Sequence, residues 1–304
     1  MAFERIAIIG LGLLGGSIGL AVAEHLPGAV TTGFDADPAA RVRASQRGLV
    51  GQVCDSAADA VRDAQLVILC VPVGAMGAAA QALAPALPAS ALVSDVGSSK
   101  QSVATALAAA LPNNAVIPAH PVAGTERSGP DAGFASLFQQ RWCIITPPQD
   151  ADPAQVAALS AFWEALGSRV EIMDPRHHDM VLAVTSHLPH LIAYTIVGTA
   201  DDLEGVTQSE VIKYSAGGFR DFTRIAASDP TMWRDVFLAN KEAVLDMLQR
   251  FTEDLTALQR AIRVGDGAQL FEHFSRTRDI RRSIIEEGQD DARPDFGRSD
   301  HGNP

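Results

Sequence analysis

Four stretches of this chain carry residue types at spacings that could do chemistry. The first is Gly10-Leu11-Gly12-Leu13-Leu14-Gly15, with Asp35 twenty residues beyond its last glycine. Glycines in that register let a strand turn tightly, admit a pyrophosphate to the backbone, and let helix and strand pack closely. Phosphates then rest on free N–H groups at the helix N-terminus. A carboxylate at the Asp35 position bonds the adenosine ribose hydroxyls. It also repels a 2′-phosphate, and the nearest arginine is Arg41, so NAD is expected rather than NADP. Gly10, Gly12, Leu13, Leu14, Gly15 and Asp35 are thus the expected cofactor contacts.

The second stretch is His120-Pro121-Val122-Ala123-Gly124-Thr125-Glu126. A histidine at a strand's carboxyl end can reach a nicotinamide ring. With an ordinary pKa near ~6.5, it can accept a hydroxyl proton while hydride leaves the same carbon. A loop histidine bonded to backbone would look the same in sequence. The third stretch, Thr185-Ser186-His187-Leu188-Pro189-His190, interrupts an apolar helix. Pro189 removes one N–H and should kink the helix, tilting polar side chains inward. His177 and His178 lie upstream, but no cysteine or HExxH spacing accompanies these histidines, so no metal is expected. The fourth is Gly217-Gly218-Phe219-Arg220-Asp221-Phe222-Thr223-Arg224, followed by Met232-Trp233-Arg234. A guanidinium matches a carboxylate bidentately, so glycines before an Arg–aromatic cluster suggest a carboxylate clamp. An Asp221–Arg224 surface pair is the plainer alternative.

These stretches need elements to position them. Strands are expected at 6–10, 30–35, 66–71, 91–95, 115–118, 143–146 and 169–172, with helices at 13–25, 38–47, 57–63, 74–84, 99–111 and 153–166. Asp37-Pro38 and Asp152-Pro153 read as an N-cap followed by a first helical residue. Alternating β and α elements with continuous apolar strands imply a parallel sheet covered on both faces. Cys70-Val71-Pro72 and Ser94-Asp95-Val96-Gly97-Ser98-Ser99-Lys100 close two of its strands. Ligands bind outside such carboxyl ends, so Val71, Pro72 and Asp95 are expected to face the cofactor. Ser98 reads as an N-cap for helix 99–111, as a site residue, or both.

Beyond about Asp174 the strand signals stop, and helices are expected at 176–200, 201–213, 230–263 and 266–287. The fold class is therefore α/β, an N-terminal dinucleotide-binding domain (1–172) followed by an all-helical domain (173–287). Residues 288–304 read as a disordered acidic tail. Helix 235–263 has apolar residues around more than one face, so it must pack on several sides. The helical half is too thin to supply that cover, and a homodimer would.

Composition narrows the partners. The 304 residues carry 24 Lys and Arg against 36 Asp and Glu, a net charge of −12. Binding nucleic acid needs a basic face, so none is expected. The three cysteines, Cys54, Cys70 and Cys143, are widely spaced and fit neither a disulfide framework nor a metal knuckle. A reducing cytoplasm follows. Residues 6–23 run 18 positions without charge and end in small residues, like a membrane span or a secretory leader. Five glycines within them fit a strand–turn–helix better, and no membrane partner is expected.

GLGLLGGS, DVGSSK, HPVAGTERSG, SHLPH, GGFRDFTRIAASDP and MWRDVFLANK, in this order over about residues 4–285, resemble the prephenate/arogenate dehydrogenases of tyrosine biosynthesis. The resemblance implies a Rossmann-type nucleotide domain and a dimer made through the helical domain. It implies NAD-dependent oxidative decarboxylation of prephenate to 4-hydroxyphenylpyruvate, of arogenate to tyrosine, or of both. Carried over residue by residue, it makes His120 the acceptor of the ring hydroxyl proton, with Ser98 hydrogen-bonding beside it. Arg224 would hold a substrate carboxylate, His190 would contact the substrate side chain, and Trp233, Gly217 and Gly218 would line the pocket. Glu126, His178, Arg220 and Asp221 match a polar gate over the entrance. Relatives often have three glycines before the Phe, where this chain has Ala216-Gly217-Gly218. Two competing readings are a 3-hydroxyacid dehydrogenase, which does not require HPVAGTE or GGFRDFTR, and an NAD-sensing regulator. The regulator's only basic helix, 276–282, is interleaved with Asp279.

Overall fold

The structure, a computed structural model, describes residues 3–202 and 217–286. The expected helix 201–213 beyond Asp202, and the expected acidic tail at 288–304, lie outside the described residues. Strands β1 (Arg5–Ile9), β2 (Val30–Phe34), β3 (Gln52–Val53), β4 (Leu66–Leu69), β5 (Leu92–Asp95) and β6 (Ala115–Val116) form a parallel sheet in the order β3-β2-β1-β4-β5-β6. Helices α1 (Leu13–His25), α2 (Pro38–Arg47), α3 (Ala57–Val61), α4 (Met76–Leu83) and α5 (Gln101–Ala110) alternate with them. Successive strand residues point to opposite faces. Ile6, Ile8, Leu66 and Ile68 accordingly join one buried cluster, while Ala7, Ile9, Val67 and Leu69 join another. Covering both faces is what makes these strands continuously apolar.

The last expected strands do not extend this sheet. β7 (Ala119–Pro121), β8 (Trp142–Ile145) and β9 (Arg169–Ile172) make a separate three-stranded sheet, with β7 antiparallel to β8 and β8 parallel to β9. The single parallel sheet expected from sequence is corrected here. Pro118 has no N–H to donate to a ladder. The Ile117 amide bonds Val93, the chain then leaves β5, and the Pro118 carbonyl accepts from Thr146 at 2.9 Å. His120 therefore sits within a strand and not in the loop after one.

Helices α6 (Pro153–Ala165), α7 (Pro175–Leu182), α8 (Leu188–Asp201), α9 (Gly217–Thr223), α10 (Pro230–Ala239), α11 (Lys241–Val264) and α12 (Gly267–Glu286) complete the described chain. Asp37 and Asp152 cap α2 and α6 as expected. The same Asp-Pro device starts α7 and α10. Asp174 accepts from the Arg176 and His177 amides, and Asp229 from those of Thr231 and Met232. The helix expected over 230–263 is broken at Asn240. Ahead of Pro189 the helix passes through a π turn, Ala183–His187, a device that absorbs a missing N–H by widening the ladder. His187 is fully buried there and Thr185 faces out.

Pro175–Asp201 is long and apolar enough to cross a membrane by length and composition, with mean hydropathy 1.5 over its best window. The chain divides into two compact units, residues 1–247 and 248–304. In the second, Gly265 turns the chain between α11 and α12 at a φ of 73°. Leu255, Ile262, Phe271, Phe274 and Ile280 of these helices are exposed.

Candidate active site

The cradle at the carboxyl end of β1 is made of backbone. Gly10 has a φ of 98°, and a Cβ there would stand 2.5 Å from the Cys70 carbonyl oxygen. A Cβ on Gly15 would collide with the Gly10 carbonyl oxygen, so this glycine lets α1 sit against the turn. Gly12 differs, because a Cβ there would meet nothing within 4 Å. It is the N-cap residue of α1, makes no side-chain cap bond, and is followed by no acid in the first turn. The first amides of α1, around Leu13 and Leu14, therefore start beside open space with the positive end of the helix aimed into it. Asp35 stands at the end of β2, where Oδ2 accepts the Leu11 amide at 2.8 Å and Oδ1 the Asp37 amide at 2.9 Å. Each oxygen can accept a second bond. The guanidinium of Arg41 folds back, donating to the Asp35 carbonyl at 2.7 Å and lying over the Phe34 ring. Val71 and Pro72 follow β4, the strand beside β1 where the sheet order reverses. Ligands of open α/β sheets bind at such a crevice. These residues fit a dinucleotide.

Asp95 does not present its carboxylate to that crevice, which corrects its expected role as a cofactor contact. It is fully buried and ion-paired to the equally buried Lys100. It also accepts the Gly97 amide at 2.7 Å and the Ala119 amide at 3.3 Å. Lys100 Nζ donates in addition to the Ala119 carbonyl at 2.7 Å. Burial weakens the charge on both partners and each opposes that effect in the other. The pair pins β7, and with it His120, to the end of β5.

His120 is buried in β7, and its Nδ1 lies 2.9 Å from Nε2 of His178. Nδ1 of His178 lies 2.8 Å from Oδ1 of Asp179. Asp179 accepts the Lys100 and Gln101 amides at 2.7 and 3.0 Å, and so caps α5 from a distant segment. This corrects Ser98 as the cap: α5 begins at Gln101, and half-buried Ser98 lies in the loop before it. Asn240 Nδ2 donates to the Asp179 carbonyl at 2.8 Å and lies 3.1 Å from His187 Nδ1. Burial holds His120 well below the ordinary histidine range, helped by neighbouring His178 and Lys100. Burial likewise lowers His178 and brings His187 to about 4. These imidazoles are neutral at pH 7.

Across His187, the cluster continues to a half-exposed region. The His187 and Trp233 rings meet edge to face at 6.0 Å, and His190 stacks on Trp233 at 3.7 Å with 25° between planes. His190 Nδ1 donates to the Ser186 carbonyl at 2.8 Å, which leaves Nε2 as an acceptor. Arg224 follows α9, pairs with Glu126 at 3.1 Å, and its charge helps burial lower the His190 pKa. Gly217, Gly218, Arg220 and Asp221 are exposed on α9. His178 departs from the surface gate expected of it, because it has no exposed area and is bonded on both ring nitrogens. Sequence reasoning missed Lys100, Asp179 and Asn240, and read His187 only as part of a motif. One signal was available: Asp179 is an acid entering a run, 180–200, that has no Asp, Glu, Lys or Arg. Among the described residues, no group of three His, Cys, Asp or Glu side chains could hold a metal ion.

Residues 18–172 match the family model described as prephenate dehydrogenase, nucleotide-binding domain, and residues 174–276 the one described as prephenate dehydrogenase, dimerization domain. The chain is 45% identical over 282 residues to the cyclohexadienyl dehydrogenase of Zymomonas mobilis, covering 93% of this chain and 96% of that one. Its structure is similar to the prephenate dehydrogenase of Aquifex aeolicus solved in complex with hydroxyphenyl propionate and NAD+, with TM-score 0.87 and 32% identity, covering 93% and 99% of the two chains. It is also similar to Synechocystis arogenate dehydrogenase, with TM-score 0.77 and 26% identity, covering 92% and 99%.

Proposed function

The chain belongs to the prephenate dehydrogenase family, and from that premise we propose that it oxidises a cyclohexadienyl substrate with NAD and loss of CO₂. Prephenate would give 4-hydroxyphenylpyruvate and arogenate would give tyrosine. The observation that carries the reading is a buried, neutral imidazole, His120, at the end of a hydrogen-bonded chain through His178 to Asp179. The backbone of Gly10, Gly12, Leu13, Leu14 and Gly15 would hold the pyrophosphate, Asp35 the ribose, and Val71 and Pro72 the nicotinamide end. When bound, the cofactor supplies the hydride acceptor.

His120 takes the proton of the ring hydroxyl, and Ser98 hydrogen-bonds beside it. A general base of this kind contributes ~10²–10⁴-fold. The ring carboxylate leaves as CO₂, its electron pair completes the aromatic ring, and the phenolic oxygen takes the proton back from His120. Arg224 exchanges Glu126 for a substrate carboxylate, with Gly217 and Gly218 nearby in the chain. His190, held flat by Trp233, hydrogen-bonds the substrate side chain. Glu126, Arg220 and Asp221 control entry.

A nucleotide domain over 1–172, a helical domain over 173–287, a tail over 288–304 and a cytoplasmic homodimer belong to the same proposal. The exposed apolar residues of α11 and α12 support the dimer, since a large apolar surface calls for a partner. The net charge of −12 supports a reading without nucleic acid. The test offers purified protein prephenate and L-arogenate separately, with NAD and then NADP, and follows reduced cofactor by absorbance. Turnover of at least one substrate with NAD is expected. Silence with both, in protein that binds NAD, would overturn the assignment.

A further inference from the structure

The hydrogen bonds around His120 have a direction that can be derived by counting protons. Both Asp179 oxygens already accept backbone amides, and an ionised carboxylate has no proton to give. The His178 nitrogen facing it, Nδ1 at 2.8 Å, must therefore carry a proton. A neutral imidazole has one N–H, and burial keeps His178 neutral. Its Nε2 is then a bare acceptor, and the donor across the 2.9 Å contact must be Nδ1–H of His120. That leaves Nε2 of His120 without a proton.

We propose that Asp179 and His178 are positioning residues that lock His120 in the tautomer whose Nε2 lone pair is free to take the substrate proton. The proposal rests on the reading that His120 is the proton acceptor. Its parts are held from several sides. His178 and Asp179 are buried, Asn240 bonds the Asp179 carbonyl at 2.8 Å, and the two amide bonds tie Asp179 to the start of α5. A neutral histidine left alone could place its proton on either nitrogen, and only one choice leaves a base at Nε2.

The test labels histidine with ¹⁵N in the full-length protein and reads each ring by long-range ¹H–¹⁵N correlation at pH 7, with His120→Asn assigning the signals. The wild type is expected to carry the His120 proton on Nδ1. Asp179→Asn can turn an N–H toward His178 and reverse the chain, which puts the proton on Nε2 of His120. Turnover should then fall at least ~10²-fold, the loss expected when a base is unavailable, with NAD affinity unchanged. His178→Phe should lose as much. His178→Gln can accept from His120 and donate to Asp179, and should stay within about tenfold of wild type, the factor set by ~1.4 kcal/mol. A wild-type His120 protonated on Nε2, or on both nitrogens, would overturn the proposal without any variant. So would Phe and Gln variants with equal kcat and the wild-type tautomer. The expected tautomer in a protein that turns over neither prephenate nor arogenate would sink the functional reading, and with it the substrate proton, leaving only the direction of the hydrogen-bond chain.

Discussion

The cradle after β1 and the reacting cluster around β7 are built from opposite materials. At Gly10, Gly12 and Gly15 the missing side chains matter, and the working groups are peptide N–H and C=O. At His120 the working groups are side chains, brought together from β7, α7, the loop before α5, and Asn240. A backbone device is local and needs only a short motif. A side-chain device needs every partner buried and satisfied, because a half-paired polar network is costly. The two regions should therefore fail differently.

The largest effect is expected inside the cradle. Gly15→Ala drives a Cβ into backbone and should cost about 3 kcal/mol of stability or more, as overpacking does. Gly12→Ala meets no protein atom and should leave the urea midpoint unchanged while weakening NAD binding. Equal stability in the two variants would break the comparison.

The reacting cluster should respond to acid and the cradle should not. His187 is held at about 4 by burial, below its ordinary 6.5. The unfolded chain then binds a proton that the fold refuses, so stability is present above about 6.5 and falls with pH towards 4. The loss from His187 alone should reach about 2 kcal/mol by pH 5. Urea unfolding at pH 7 and pH 5 measures it, and His187→Gln should shrink that difference by about this amount, leaving the share that His120 and His178 contribute.

Smaller effects belong to the exposed end. Arg224→Ala should raise KM about tenfold or more, the worth of one hydrogen bond to a charged group, and leave stability unchanged. An unchanged KM would take Arg224 out of the substrate site. Glu126→Gln should shift stability by less than about 0.5 kcal/mol, because this pair is 47% and 40% exposed and screened by water.

The same contrast explains what could be read in the sequence. The glycine loop, Asp35 and the Asp-Pro caps of α2 and α6 are each encoded within a few residues, and all were legible. So were β1 and β4 themselves, since strands covered on both faces must be continuously apolar. The second sheet was not, because pairing of β7 with β8 depends on where Pro118 ends one ladder. Asp95 looked like a strand-end acid facing a ligand. Only the fold brings Lys100 back onto it and buries both. His178 reads in sequence as part of a polar gate, and Asp179 was not read as a site residue. The partner of His178, His120, lies 58 residues away, and no spacing announces a contact of that range.

The central claim is that His120 does the chemistry while the cradle binds the cofactor independently. His120→Asn tests it most directly, with NAD affinity by calorimetry and kcat on the better of the two substrates measured on one preparation. The account predicts an unchanged NAD dissociation constant and a kcat lower by at least ~10²-fold. A near-normal kcat in that variant would contradict it.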